Sequence, residues 1–212
     1  MSSSTLYLLV RSPRSSLFPD LVKYLGLDIE IKDNTSPELG EEFPLKKCPA
    51  LIEADGFKVT EALAVFRYLA HLAPEKLNWY GKTPRQDVET EKWLSFFNSE
   101  VMNAYIGWLL PKLGVTPYDE EKVNGALQTF DKYADIVEKQ LQKTKYLVGD
   151  EPTIADLYAL QYLKGAYSLI WDETWIKKHP EISRWIELLK KNPVVGESIK
   201  DLKLAAATPD KS

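Results

Sequence analysis

The sequence is most constrained by what it lacks. It has one cysteine, Cys48, in 212 residues, so it can form no internal disulfide and no zinc site built on several thiolates. Thiol scarcity suits a reducing compartment. It has two histidines, His71 and His179, far apart in the chain, and no spacing of His, Cys, Asp or Glu that suits a metal. There is no Gly-rich phosphate loop and no paired-carboxylate motif. Lys+Arg number 27 against 31 Asp+Glu, a formal net charge of −4. With no basic run, this balance argues against a nucleic-acid footprint. No stretch approaches the roughly 18–20 apolar residues of a membrane span. Residues Met1 to Thr5 are Ser-rich and lack a basic start followed by a long apolar run, so no signal peptide is expected.

What is present is patterned. Leu6 to Val10 is a continuous apolar run, read as a buried strand. Ser12-Pro13-Arg14-Ser15 breaks it. Leu17, Phe18, Leu21, Val22 and Leu25 follow at helical spacing, with Gly26 as the stop. Asp28 to Lys32 reads as a second strand and the polar stretch 34–48 as irregular. Ala50–Glu53 and Phe57–Val59 flank Asp55-Gly56, a hairpin signal. Glu61 to Leu72 reads as helix. The order β-α-β, loop, β-β-α is that of the thioredoxin fold.

Residues 73–83 read as a linker, and only helix patterns follow. Aromatic residues crowd 85–110. Val123, Leu127, Phe130, Ala134, Val137 and Leu141 form a one-sided stripe on a long helix. Thr153 to Leu169 is apolar nearly all round, as a central buried helix would be. A last helix is expected over roughly 180–190. The expected division is a thioredoxin-like domain over 1–73, a linker over 74–83, an all-helical domain over 84–204 and a flexible tail over 205–212.

Few residues could carry chemistry, and local pattern alone leaves each of them two readings. Thr153-Ile154-Ala155-Asp156 fits a helix cap in which hydroxyl and carboxylate answer each other's backbone N–H, a structural role. Pro49, at the head of a strand, reads locally as an ordinary trans turn proline. A cis bond is the alternative, and it would present the Cys48 backbone to an extended peptide. At Thr60-Glu61-Ala62 a strand meets a helix. Glu61 there complements the helix dipole, or else the N-terminal N–H groups bind an anion. Ser12 to Ser15 offers a second such terminus, where local evidence favours a cap by Ser15 or Ser16. Cys48 reads as a structural thiol, with a mixed-disulfide site as the alternative. The histidines read as surface or packing residues.

Together these segments resemble a family. Leu45-Lys46-Lys47-Cys48-Pro49-Ala50-Leu51, Asp55 to Ala62, Tyr146-Leu147-Val148-Gly149 with Thr153 to Asp156, and His179-Pro180 with Arg184-Trp185 resemble the glutathione transferases along nearly the whole chain. Narrower stretches, among them Thr5-Leu6-Tyr7, Phe43 to Lys47, Lys58 to Ala64, Thr116-Pro117-Tyr118 and Lys177 to Pro180, resemble the N-terminal domain of the gamma-subunit family of translation elongation factor 1, in its fungal forms.

The resemblance implies a thioredoxin-like domain plus an all-helical domain. It implies that Pro49 is cis and that Asp156 caps the central helix. It further implies a cytoplasmic domain that docks the nucleotide-exchange subunit of elongation factor 1, with homodimerisation and weak glutathione binding. The alternative is an active transferase that conjugates glutathione to small electrophiles. Ser12, with Ser15 as fallback, would stand near the family's thiolate-holding hydroxyl. Lys47 would pair with the glycyl carboxylate, and Cys48, Pro49, Glu61 and Ala62 would complete the glutathione site. Ala62 stands where the family has serine, so that hydroxyl is lost. No metal and no membrane contact are implied.

Overall fold

The structure is a computed structural model that describes residues 4–206; of the tail expected over 205–212, residues 207–212 lie outside the described residues. Its first unit runs β1 (Ser4–Leu8), α1 (Phe18–Leu25), β2 (Ile29–Asp33), α2 (Pro37–Glu42), β3 (Ala50–Ile52), β4 (Lys58–Thr60) and α3 (Ala62–Leu72). The strands form one sheet in the order β2-β1-β3-β4, with β1 parallel to β2 and antiparallel to β3.

β1 is apolar from Leu6 to Leu8, where both of its faces are covered. Leu6 and Leu8 point to one face and pack in the main core with Phe18 and Leu21 of α1 and Phe66 and Leu69 of α3. Tyr7 points to the other face and packs with Ala50, Leu39 and Phe43 in a smaller cluster. That cluster is closed by α2, a short helix inside the stretch expected to be irregular. Its start signals are Ser36 followed by Pro37 at the first helical position. Six residues with a single buried side chain, Leu39, leave no apolar period to read.

The second unit is helical: α4 (Pro84–Phe96), a π-helical turn (Phe97–Val101), α5 (Met102–Lys112), α6 (Glu120–Leu141), α7 (Ile154–Leu169), α8 (Glu173–Lys178), α9 (Pro180–Leu189) and α10 (Gly196–Ile199). α6 buries Val123, Phe130, Ala134, Val137 and Leu141, five of the six residues of its stripe, and the sixth, Leu127, packs half-buried against the same core. It also buries Glu138, whose carboxylate accepts from the Glu181 and Ile182 N–H groups at 3.1 and 2.9 Å and so caps α9. α8 and α10 were not expected from the sequence; both are too short to show a helical period.

α7 lies at the centre and buries twelve of its sixteen residues. It receives the first unit through Tyr158, whose ring packs edge-on against Phe66 at 5.2 Å. The linker is tied down as well, because the Trp79 carbonyl accepts from the Ile154 N–H at 3.0 Å. Arg67 of α3 pairs with Asp87 and Glu91 of α4 and lies 3.5 Å over the Tyr80 ring.

The head of α7 is fully bonded. The Thr153 hydroxyl accepts from the Ala155 N–H at 3.3 Å, and Asp156 Oδ2 accepts from the Thr153 N–H at 2.9 Å, closing a capping box. Asp156 Oδ1 accepts from the Leu147 N–H at 2.9 Å and from the Trp185 indole N–H at 2.8 Å. One buried carboxylate therefore fastens α7, the loop before it and α9. Burial pushes its pKa up, while these donors pull it down.

Candidate functional site

A cavity of about 280 Å³ opens in the first unit, lined by residues between Arg14 and Ala62. Lys47, Cys48 and Pro49 form one wall, and Thr60, Glu61 and Ala62 another. Phe43, Pro44 and Leu45 add an apolar side, and Arg14 closes the cavity from the β1–α1 loop. A larger open groove of about 570 Å³ lies along Arg67, His71 and Tyr80. Its arginine is already paired with carboxylates, so the smaller cavity is the better candidate for recognition.

Three local features shape the cavity. The Cys48–Pro49 peptide is cis, which sets Cys48 against the cavity just ahead of β3. Glu61 has φ +70° and ψ 125°, a conformation that costs a non-glycine residue on the order of 1–3 kcal/mol. It lies between β4 and α3 and makes no side-chain cap bond, so α3 begins at Ala62 rather than Glu61. The N–H groups of the first turn of α3 consequently have no partner from the helix itself. They lie behind Glu61 and Ala62, in the place where an anion would be held.

Cys48 is half-buried, and burial with help from Asp33 raises its pKa to about 11. It is a neutral thiol at physiological pH, a poor nucleophile for a mixed-disulfide reaction. The serines of the β1–α1 loop behave differently from the cap that local pattern favoured. Ser16 Oγ donates to Gln161 Oε1 at 2.9 Å. Ser15 is fully buried and its hydroxyl has no partner among the described residues. Neither caps α1, whose N-cap Leu17 has no side-chain bond. Ser12 Oγ accepts from the Arg14 N–H at 3.3 Å. Neither Ser12 nor Ser15 belongs to the cavity wall.

The cavity thus gathers Lys47, Cys48, Pro49, Glu61 and Ala62 and leaves out Ser12. It adds Arg14, which sequence reasoning missed. Arg14 sits within Ser12-Pro13-Arg14-Ser15, but an isolated arginine in a loop has no spacing to single it out. Thr153 and Asp156 lie apart from this wall, at the head of α7. No group of three or more His, Cys, Asp or Glu residues that could hold a metal occurs among the described residues.

A sheet of this order, a cis-proline cradle at the start of β3 and an all-helical second unit define a glutathione-transferase fold. The family profiles "Glutathione S-transferase, N-terminal domain" and "Glutathione S-transferase, C-terminal domain" match residues 2–71 and 87–193, and the chain belongs to this family. Within it, the chain is 33% identical to Glutathione S-transferase psoE of Aspergillus fumigatus, over 82% of this chain and 73% of that protein. It is 31% identical to Elongation factor 1-gamma 1 of Saccharomyces cerevisiae over 97% of its own length, but spans only 51% of that relative. The crystal structure of the GST-like domain of elongation factor 1-gamma from S. cerevisiae superposes with a TM-score of 0.83, at 30% identity, covering 97% of this chain and 96% of that one. No helix among the described residues is long and apolar enough to cross a membrane.

Proposed function

We propose that this chain is a protein-interaction domain of the elongation factor 1-gamma kind, that it docks the nucleotide-exchange subunit of elongation factor 1, and that it keeps a pocket for weak glutathione binding. The observation that carries this reading is a cradle without the hydroxyls that the resemblance implies at positions 12 and 62. Ser12 stands outside the wall, and alanine occupies position 62, so no side chain there can reach a γ-glutamyl carboxylate. A missing hydrogen bond to a charged group costs roughly 1.5–3 kcal/mol, about ten- to a hundred-fold in affinity. Likeness to the yeast GST-like domain over almost the full length supports the docking role.

The remaining cradle still fits a tripeptide with two carboxylates. Lys47 is exposed at one side, and the head of α3 supplies N–H groups at the other. Co-purification with the exchange subunit tests the docking role, and recovery of no complex overturns it. Cytoplasmic residence and homodimerisation belong to the same reading; fractionation and sedimentation test them.

A second reading, an active transferase, is favoured by the intact cis-proline cradle and by the likeness to the Aspergillus enzyme. Its test is conjugation of a generic electrophile. No turnover above background, with no change in melting temperature at millimolar glutathione, would reject it.

A further inference from the structure

We propose that Arg14, fixed by Asn98, is the group that holds the sulfur of a bound thiol peptide as its thiolate. This rests on the reading of the cavity as a glutathione site and deepens it.

The bonding of Arg14 is unlike that of the other half-buried arginines. Arg67 pairs with Asp87 and Glu91, and Arg184 with Glu181. Arg14 has no carboxylate within salt-bridge distance among the described residues. Its Nε donates to Asn98 Oδ1 at 3.0 Å and its Nη2 to the Asn98 backbone oxygen at 2.7 Å. Both acceptors are neutral, so the guanidinium is held in place but keeps its charge. A half-buried cation with neutral partners, in the wall of a partly apolar cavity, is set up to receive an anion.

Asn98 itself is locked. It lies in the π-helical turn between α4 and α5, a distortion often found at functional sites. The Tyr158 hydroxyl donates to the same Oδ1 at 2.9 Å, and the Tyr162 hydroxyl donates to Tyr158 at 2.7 Å. Two donors on Oδ1 fix which way the amide faces. Asn98 is thus a positioning residue, carried by the helical unit, for a cation on the thioredoxin-like unit.

The sulfur is the anion left for Arg14. On the glutathione reading, Lys47 takes the glycyl carboxylate and the head of α3 takes the γ-glutamyl one. The third ionisable anion is the thiol. The cavity wall holds two cations, Lys47 and Arg14, and the Ser12 hydroxyl is outside it. The step is a proton loss only: the S–H bond breaks, the proton goes to solvent, and the charge remains on sulfur beside the guanidinium.

The test is a pH titration of the thiolate ultraviolet absorbance of bound glutathione, with melting curves on each variant. In the unmodified protein the bound thiol is expected to titrate about one unit or more below the free thiol, as an opposite charge within reach requires. Arg14→Gln should return it to within a few tenths of a unit of the free value. Arg14→Lys should keep part of the shift. Asn98→Asp keeps an acceptor for Arg14 and Tyr158 but sets a compensating negative charge beside the guanidinium, so it should raise the titration with little change in melting. S-Methylglutathione, which has no thiol proton, should bind Arg14→Gln and the unmodified protein within about threefold. An unchanged titration in Arg14→Gln, or a shift abolished by Ser12→Ala instead, overturns the proposal. An ordinary thiol titration in a protein that does bind glutathione also overturns it, but leaves the glutathione reading standing. No glutathione binding at all removes both.

Discussion

The heads of α7 and α3 are both places where a helix begins against a loop, and they are finished in opposite ways. At α7 the capping box, the Leu147 N–H and the Trp185 indole all converge on Asp156, and the junction is buried. At α3 the N-cap residue, Glu61, is exposed, makes no cap bond and has a positive φ, and the third helical position, where α7 has Asp156, is Ala64. One junction turns its polar groups on itself and holds the fold. The other leaves its N–H groups to a cavity and carries strain that the cradle, not the helix, requires. Bond satisfaction at a helix start therefore separates structure from site more sharply than residue type does.

The largest expected effect breaks the satisfied end. Asp156→Ala leaves three buried N–H donors without an acceptor and should destabilise the protein by at least about 3 kcal/mol, read by urea denaturation. A loss below about 1 kcal/mol would mean that the junction is not held by this carboxylate. Next, Ala62→Ser restores a hydroxyl at the open end. Glutathione affinity by calorimetry should rise about tenfold or more, with the urea midpoint unchanged.

Glu61→Gly should move the two properties apart, stabilising by about 1 kcal/mol through release of strain while glutathione binding weakens. Thr153→Ala, at the satisfied end, should lose about 1 kcal/mol and leave binding unaffected. The smallest effect concerns Cys48. With its pKa raised to about 11, the thiolate fraction is roughly one in three thousand at pH 7.5. Alkylation by iodoacetamide should be slow there and accelerate with each pH step toward 11. Fast alkylation at neutral pH would reinstate a reactive cysteine.

The sequence makes the fold readable for physical reasons that are local. Leu6 to Leu8 of β1 are apolar because both faces are covered, the α6 stripe keeps one helical period, and Asp55-Gly56 turns the hairpin. The elements it hides are those too short for a period, α2, α8 and α10, and Glu138, a charge within an apolar stripe that answers a helix 43 residues away. For the site, Lys47, Cys48, Pro49, Glu61 and Ala62 come from two contiguous motifs and meet in the cavity. Arg14 could not be found this way. Its meaning comes from Asn98, 84 residues on and in the other unit, and no spacing rule links the two. Ser12 was weighed by its place after the first strand, and a turn of the loop takes it out of the wall.

The most direct measurement is calorimetric titration of this domain with the nucleotide-exchange subunit of elongation factor 1, followed by a conjugation assay on the same preparation. Saturable stoichiometric binding with electrophile turnover at background is the result predicted. Robust glutathione turnover with no heat of binding to the subunit would contradict the account.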